Sequence, residues 1–224
     1  MKIGIRTAAT SLLGLLAFGV ILFLPAGTLR YWQAWVFLAV FTTATIVPTV
    51  YLARTNPAAL RRRMRAGPWA ETRPAQKVIM TGSFSIPLAM MVFSAFDHRM
   101  GWSHPPGWVC VIGDVLVAGG LLSTMLVVIQ NAYAAATVTV EEGQSVVSGG
   151  LYKFVRHPMY VGTVVMMVGT PLALGSYWGL LFVVAGIAVL VFRILDEEKL
   201  LTQELSGYRE YTQRVHYRLL PNVW

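Results

Sequence analysis

The chain has 224 residues, of which 56% are hydrophobic and only 12% charged, about half the charged share of a soluble domain, roughly 25%; its mean hydropathy is +0.60. That composition excludes an ordinary soluble domain, and the length leaves room for one compact domain. The net charge of +8 points to loops facing anionic lipid rather than to nucleic acid, for which no folded basic domain is evident, and a single cysteine, Cys110, excludes an internal disulfide or a Cys-built metal cluster.

A bilayer core of about 30 Å is crossed by about 20 apolar residues of helix, so uncharged runs of that length mark the spans. Met1 to Pro25 has the basic start and apolar run of a signal peptide. Thr7 to Leu29, however, is uncharged and long enough to span, and no small-residue cleavage pattern follows, so an uncleaved first helix at about Ile5 to Pro25 is expected. The second span is expected at Tyr31 to Ala53. The stretch from Arg54 to Lys77, with Arg61, Arg62 and Arg63, Pro57, Gly67-Pro68 and Pro74, reads as a cytoplasmic connector that orients the chain and anchors it to headgroups, with a specific lipid or substrate site as the lesser alternative. A third span follows at Val78 to Phe96 and a fourth at Trp108 to Ile129. Asp114, two turns into the fourth, is either functional or a helix-packing group.

Pro158 to Leu174 and Tyr177 to Leu195 are short runs separated only by Gly175 and Ser176, and they read as a tight helical hairpin. The fold class is therefore all-α, a polytopic integral membrane protein of about six transmembrane helices. Six spans put 16 of the 18 Lys and Arg residues on the side of the termini and leave Arg30 and Arg99 opposite, which assigns both termini to the cytoplasm, in a membrane such as a bacterial inner membrane. Trp32, Trp35, Trp102, Trp108 and Trp178 fall near helix ends on the outer side, where amphipathic rings favour the interface. Residues 1–130 form the expected scaffold of four helices and the Arg-rich connector, and residues 131–224 the expected catalytic part.

Polar residues and glycines return after Ile129, with Asn131, Thr137, Glu141, Glu142, Gly143 and Gln144. The run Arg156-His157-Pro158-Met159-Tyr160 then stands at the mouth of the fifth helix, with Pro158 suited to its first turn because the missing N–H would be unpaired there anyway. At the far end of the hairpin Arg193 and Glu197 are four residues apart on one helix face, followed by Glu198. Antiparallel pairing would bring His157 and Tyr160 to that face and form a polar pocket at the cytoplasmic boundary. The same residues would serve equally as snorkelling anchors and solvated surface. His98, His104, His157 and His216 show no metal-ligand spacing, and no metal is expected.

The full pattern is Gly143-Gln144-x-Val146-Val147-x-x-Gly150-x-Tyr152-x-x-x-Arg156-His157-Pro158-x-Tyr160-x-Gly162. After the hairpin come Arg193-x-x-x-Glu197-Glu198-x-x-Leu201 and Tyr208-x-x-Tyr211. From about Asn131 to Pro221 it resembles the isoprenylcysteine carboxyl methyltransferase family and the wider phospholipid methyltransferase-like superfamily. Gln144 stands where the eukaryotic enzymes carry a histidine, and Leu151 where a proline is frequent. The resemblance implies S-adenosyl-L-methionine in an enclosed cytosolic pocket lined by Gln144, Ser145, Val146, Val147, Tyr152, His157, Pro158, Met159, Tyr160 and Glu197, with Thr137 a weaker candidate. It implies a lipid-borne or hydrophobic substrate held by Arg193, the expected catalytic group, with Arg156 a second substrate-binding candidate. Carboxyl O-methylation is the leading expectation. The alternatives are a phospholipid N-methyltransferase, a reductase using a nicotinamide cofactor, and a small membrane transporter, although only Asp114 lies deep in a span as a transporter would require.

Overall fold

The computed structural model describes residues 2–64, 67, 69, 71, 73–134, 137, 139–141 and 143–224, with residues 2–12 described as backbone alone. Met1, Arg65, Pro68 and Glu142, and the side chains of Lys2 and Arg6, which entered the reading of the sequence, lie outside the described residues. The secondary structure is helical throughout: α1 Lys2–Ala26, α2 Trp32–Thr55, α3 Pro57–Met64, α4 Pro74–Met100, α5 Gly107–Gln130, α6 Pro158–Ala173, α7 Leu181–Glu204 and α8 Tyr208–Arg214. No strand occurs among the described residues. Helix is the economical choice in hydrocarbon, because each segment satisfies its own backbone donors and acceptors.

Local sequence sets the helix ends. Pro74 and Pro158 occupy the first turns of α4 and α6, where no N–H is needed. Asn56 accepts the Ala59 N–H through its side chain at 3.0 Å and starts α3, and α4 stops at Gly101, whose φ of 63° is left-handed. Among the described residues four helical stretches are long and apolar enough to cross a membrane: Trp32–Thr55, Pro74–Met100, Gly107–Gln130 and Trp178–Glu204, with Leu13–Ala26 and Pro158–Ala173 shorter. Leu, Val and Ile side chains stay exposed along α1, α2, α5 and α7, as lipid-facing surfaces require. The chain is an integral membrane protein.

Contacts at the two ends of the bundle differ. At one, Tyr31 donates to the Leu174 carbonyl at 2.5 Å and stacks on His98 at 3.9 Å. There Asp97 also accepts the Ser103 N–H at 2.8 Å and the Ser176 hydroxyl at 2.5 Å. The five tryptophans named above are half-exposed near this end. The opposite end gathers α3, the loop after α5, the entry to α6, and α8.

Helices α5 and α6 touch along their backbones. A Cβ on Gly113 would lie 2.1 Å from the Ala173 nitrogen, and one on Gly120 would lie 2.5 Å from the Gly162 carbonyl, so only glycine permits this approach. Gly175, with φ of 73°, makes the short turn expected between α6 and α7. The two arms nevertheless find their main neighbours elsewhere, α6 on α5 and α7 on α4. Cys110 is a buried free thiol. Asp114 is also buried, and both its carboxylate oxygens lack a hydrogen bond among the described residues.

Candidate functional site

The loop after α5 folds back on the helix it leaves. Gly150 adopts φ of 58° and a Cβ there would lie 2.4 Å from the Gln130 amide oxygen; that oxygen instead accepts the Leu151 N–H at 2.9 Å. A short 3₁₀ turn at Gly150–Lys153 follows, and Tyr152 receives a hydrogen bond from the Asn131 amide at 3.1 Å while its carbonyl accepts the Tyr211 hydroxyl at 2.8 Å. Arg156 and His157 then donate backbone hydrogen bonds to Tyr217 and Arg218 at 2.9 and 3.0 Å. The segment beyond α8 thereby closes against the mouth of α6.

The first turn of α6 and the last third of α7 meet through charged pairs. Tyr160 donates its phenol proton to Glu197 and accepts from the Arg193 Nε at 2.9 Å. Its ring lies 5.5 Å from that of His157. Glu198, which could have been solvated surface, is buried and lies 2.9 Å from Arg156 Nε, 3.1 Å from His157 Nε2 and 2.8 Å from Arg218 Nε. Three partners on one buried carboxylate offset its desolvation.

These elements surround a cavity of about 800 Å³ including its open mouth. All ten residues nominated for the cofactor line it: Gln144 to Val147, Tyr152, His157 to Tyr160, and Glu197. Thr137 and Arg156 line it as well. Arg193 does not; it is buried behind Tyr160, with Nη1 3.5 Å from the Met80 sulfur and Nη2 3.9 Å from Glu71. Arg156 is committed to Glu198 on the cavity wall. Among the described residues no three His, Cys, Asp or Glu side chains group closely enough to hold a metal ion.

Sequence reasoning passed over Asn131, Tyr133, Tyr208 and Tyr211 as lining groups, although the Tyr208-x-x-Tyr211 spacing on α8 could have nominated the last two. It also favoured an orientation signal and headgroup anchor for the connector over a specific lipid or substrate site. The connector is instead docked on the site: Arg62 grips Glu141 with two bonds of 2.8 Å and stacks over the Tyr133 ring at 4.9 Å, Arg73 pairs with Asp196 at 2.7 Å, and Glu71 faces Arg193.

Tyr152, Tyr208 and Tyr211, which face the cavity, are held neutral. Burial pushes Tyr152 up to about 12, the nearby Glu197 charge adds to the rise and the Asn131 bond opposes it. Burial likewise raises Tyr208 and Tyr211, with Glu198 contributing to both. The Tyr208 hydroxyl is buried and has no partner among the described residues, so the cavity wall carries an unused hydrogen-bonding group of the kind a polar ligand satisfies. Acidic Glu197, the amide of Gln144, neutral phenols and the apolar Val146, Val147 and Met159 together suit a ligand that is part cationic, part polar and part flat.

Fold and site thus define a polytopic helical membrane protein with a polar cavity at one boundary. Residues 108–208 match the family model described as phospholipid methyltransferase, which bears out the resemblance read in the sequence, since that family lies in the membrane methyltransferase superfamily that includes the isoprenylcysteine carboxyl methyltransferases. The match supports a membrane methyltransferase. The chain is also similar to the Delta(14)-sterol reductase TM7SF2 of Mus musculus, 31% identical over 91 residues, which is 39% of this chain and 22% of that protein. The aligned stretch therefore spans less than a quarter of that relative.

Proposed function

We propose that the chain is an S-adenosyl-L-methionine-dependent methyltransferase that works at the membrane boundary on a lipid-borne substrate, with the carboxylate of an isoprenylcysteine-like thiol-acid as nucleophile. The observation that carries this reading is the convergence of the ten nominated residues on one cavity between α6, α7 and α8. In this reading residues 131–224 do the chemistry on a scaffold of residues 1–130, and the excess of Lys and Arg that six spans assign to the side of the termini supports a cytoplasmic cavity and cytoplasmic termini.

Bound S-adenosyl-L-methionine supplies a methyl group on a cationic sulfonium, open to in-line displacement. Glu197 stabilises positive charge in the cavity, His157 and the Tyr208 phenol hold polar ends, and Val146, Val147 and Met159 pack on apolar faces. Tyr160, fixed between Glu197 and Arg193, orients the reacting end. Such alignment of reactants supplies several kcal/mol of a displacement barrier, on the order of 7 to 11 in the best cases. Arg193 lies behind Tyr160 and 3.9 Å from Glu71, so a substrate carboxylate that reaches it must displace Tyr160 from the guanidinium. A second reading, an amine nucleophile on a phospholipid headgroup, is favoured by the match to phospholipid methyltransferases and by the carboxylate already facing Arg193.

The deciding experiment begins with calorimetric binding of S-adenosyl-L-methionine to the detergent-purified protein, to Glu197→Ala and to His157→Ala, with a reduced nicotinamide dinucleotide as comparison. Tight binding weakened by both substitutions is expected; binding of the nicotinamide instead would overturn the methyltransferase reading in favour of a reductase. Labelled methyl transfer to a prenylated thiol-acid and to phosphatidylethanolamine then separates the two nucleophiles. Arg193→Ala should abolish transfer to the acid and Arg193→Lys rescue it poorly, because a point charge does not reproduce the planar fork. Full turnover of the acid by Arg193→Ala would remove the carboxylate assignment.

A further inference from the structure

A second cavity, of about 910 Å³ including its open side, lies between α2, α3 and α5. Its walls run from Ala44 to Leu52 on α2 and from Leu121 to Val128 on α5, a depth of about 12 Å at the helical rise. Three threonines line it, but each hydroxyl is spent on its own helix: Thr45 on the Phe41 carbonyl at 2.6 Å, Thr49 on Thr45 at 2.7 Å and Thr124 on Gly120 at 3.0 Å. The rest of the wall is aliphatic, apart from Arg63 on α3 at the boundary end. Thr45 and Met64 at the edges are exposed, so the slot opens sideways onto the lipid-facing surface.

Arg63 differs from its neighbours. Arg62 and Arg73 are committed to Glu141 and Asp196, whereas Arg63 has no acidic partner among the described residues. Its guanidinium is partly desolvated, which lowers its pKa from the usual arginine value, and that burial is unfavourable unless an anion offsets it. An apolar slot with one uncompensated planar cation at its boundary end has the shape and polarity of an amphiphile. The free donors of an arginine fork fit phosphate in particular.

We propose that this slot is a binding site for an anionic membrane phospholipid, one acyl chain lying between α2 and α5 and the phosphate seated on Arg63. The site is separate from the cavity described above but shares a wall with it. Leu52, Ala59 and Val128 form a buried cluster against which Met159 and Ala134 pack, and those last two also line the first cavity. A bound lipid would brace that wall. The groove between α1 and α2, at Leu16, Leu24 and Trp35, is more apolar than the slot and has no charged residue in its described lining, so it provides an internal control.

The full chain would be reconstituted in phosphatidylcholine nanodiscs containing a trace of phospholipid with a diazirine midway along one acyl chain. The probe headgroup is either phosphatidylglycerol or phosphatidylcholine, and labelled peptides are mapped by mass spectrometry after photolysis. The anionic probe should label Thr49, Leu52 or Met125 roughly fivefold more than the zwitterionic one, the effect expected of one basic contact near the surface. Arg63→Gln should erase that preference and Arg61→Gln should keep it, while labelling at Leu16 and Leu24 is the same for both probes. Equal labelling of the slot by both probes, a preference that survives Arg63→Gln, or labelling confined to α1 would overturn the site. Circular dichroism of each variant separates loss of the site from loss of the fold. Because the readout is lipid contact and not methyl transfer, failure of the methyltransferase reading leaves the test intact.

Discussion

Replacing Glu198 by glutamine removes a buried charge without changing side-chain volume. Arg156, with its side chain 9% exposed, then keeps a guanidinium in the wall with no anion beside it, and His157, 4% exposed, loses its partner. Breaking one partner out of a buried ion pair costs about 3–5 kcal/mol. The Arg218 contact, 28% exposed at the cation, adds little because water screens it, and the glutamine oxygen still accepts one bond, so the net expectation is about 2–3 kcal/mol. For a chain of this size that is a fall in thermal midpoint of roughly 4–12 °C, read by intrinsic fluorescence in detergent. Glu198→Ala should be worse, since it also leaves a void. A midpoint for Glu198→Gln within one or two degrees (about 1 kcal/mol at most) of the parent, with cofactor affinity unchanged, would show that this carboxylate does not hold the mouth of α6, and the electrostatic account of the site would fail.

Tyr208→Phe should leave stability unchanged or slightly raised, because it removes a buried hydroxyl with no partner, yet weaken S-adenosyl-L-methionine binding by roughly 1 kcal/mol in calorimetry; an unchanged affinity would exclude that phenol from the ligand's contacts. Gly113→Ala forces a Cβ to within 2.1 Å of the Ala173 backbone, whereas Gly119→Ala on the same helix meets nothing within 4 Å. The first should lose more than about 1–3 kcal/mol and the second should be neutral, and equal midpoints for the two would refute the backbone seam. The Tyr152 phenol, raised from 10.0 to about 12, contributes stability that is complete below pH 10 and is lost as pH rises toward 12, because the unfolded chain ionises first. Alkaline unfolding of the parent and of Tyr152→Phe should therefore converge over that window, and parallel curves would mean the phenol is not so buried.

Much of the fold was legible because lipid imposes a single rule on each span, a long uncharged run. The helix start at Pro158 follows from backbone chemistry that any sequence displays, whereas α4 starts at Pro74, inside the stretch read as connector, and runs on to Gly101, beyond the expected end at Phe96. The candidate site was legible where its residues are close in the chain, from Gln144 to Tyr160, and where α7 brings Arg193 and Glu197 onto one face. What stayed hidden depends on distant partners. Glu71 facing Arg193 and Arg62 gripping Glu141 join stretches that no periodicity relates, so the connector looked like an orientation signal and headgroup anchor. Glu198 looked like surface because nothing local shows that Arg156, His157 and Arg218 converge on it. The choice of α5 rather than α7 as the main neighbour of α6 rests on glycines facing glycines, which becomes evident only once the register of both helices is known.

That glycine seam also limits how the cavity can breathe. Two helices in backbone contact from Gly113 to Gly120 have no side-chain layer between them to compress or slide, so α5 and α6 behave as one stiff plank along which neither can tilt alone. One side of the cavity is thereby fixed, and a guest enters only by displacing the opposite side, where the loop after α5, α8 and the strand-like pairing of residues 156–157 with 217–218 are held by single hydrogen bonds and ion pairs. The stiff side carries Pro158, Met159 and Tyr160 of the cavity wall, and the yielding side carries Tyr208 and Tyr211.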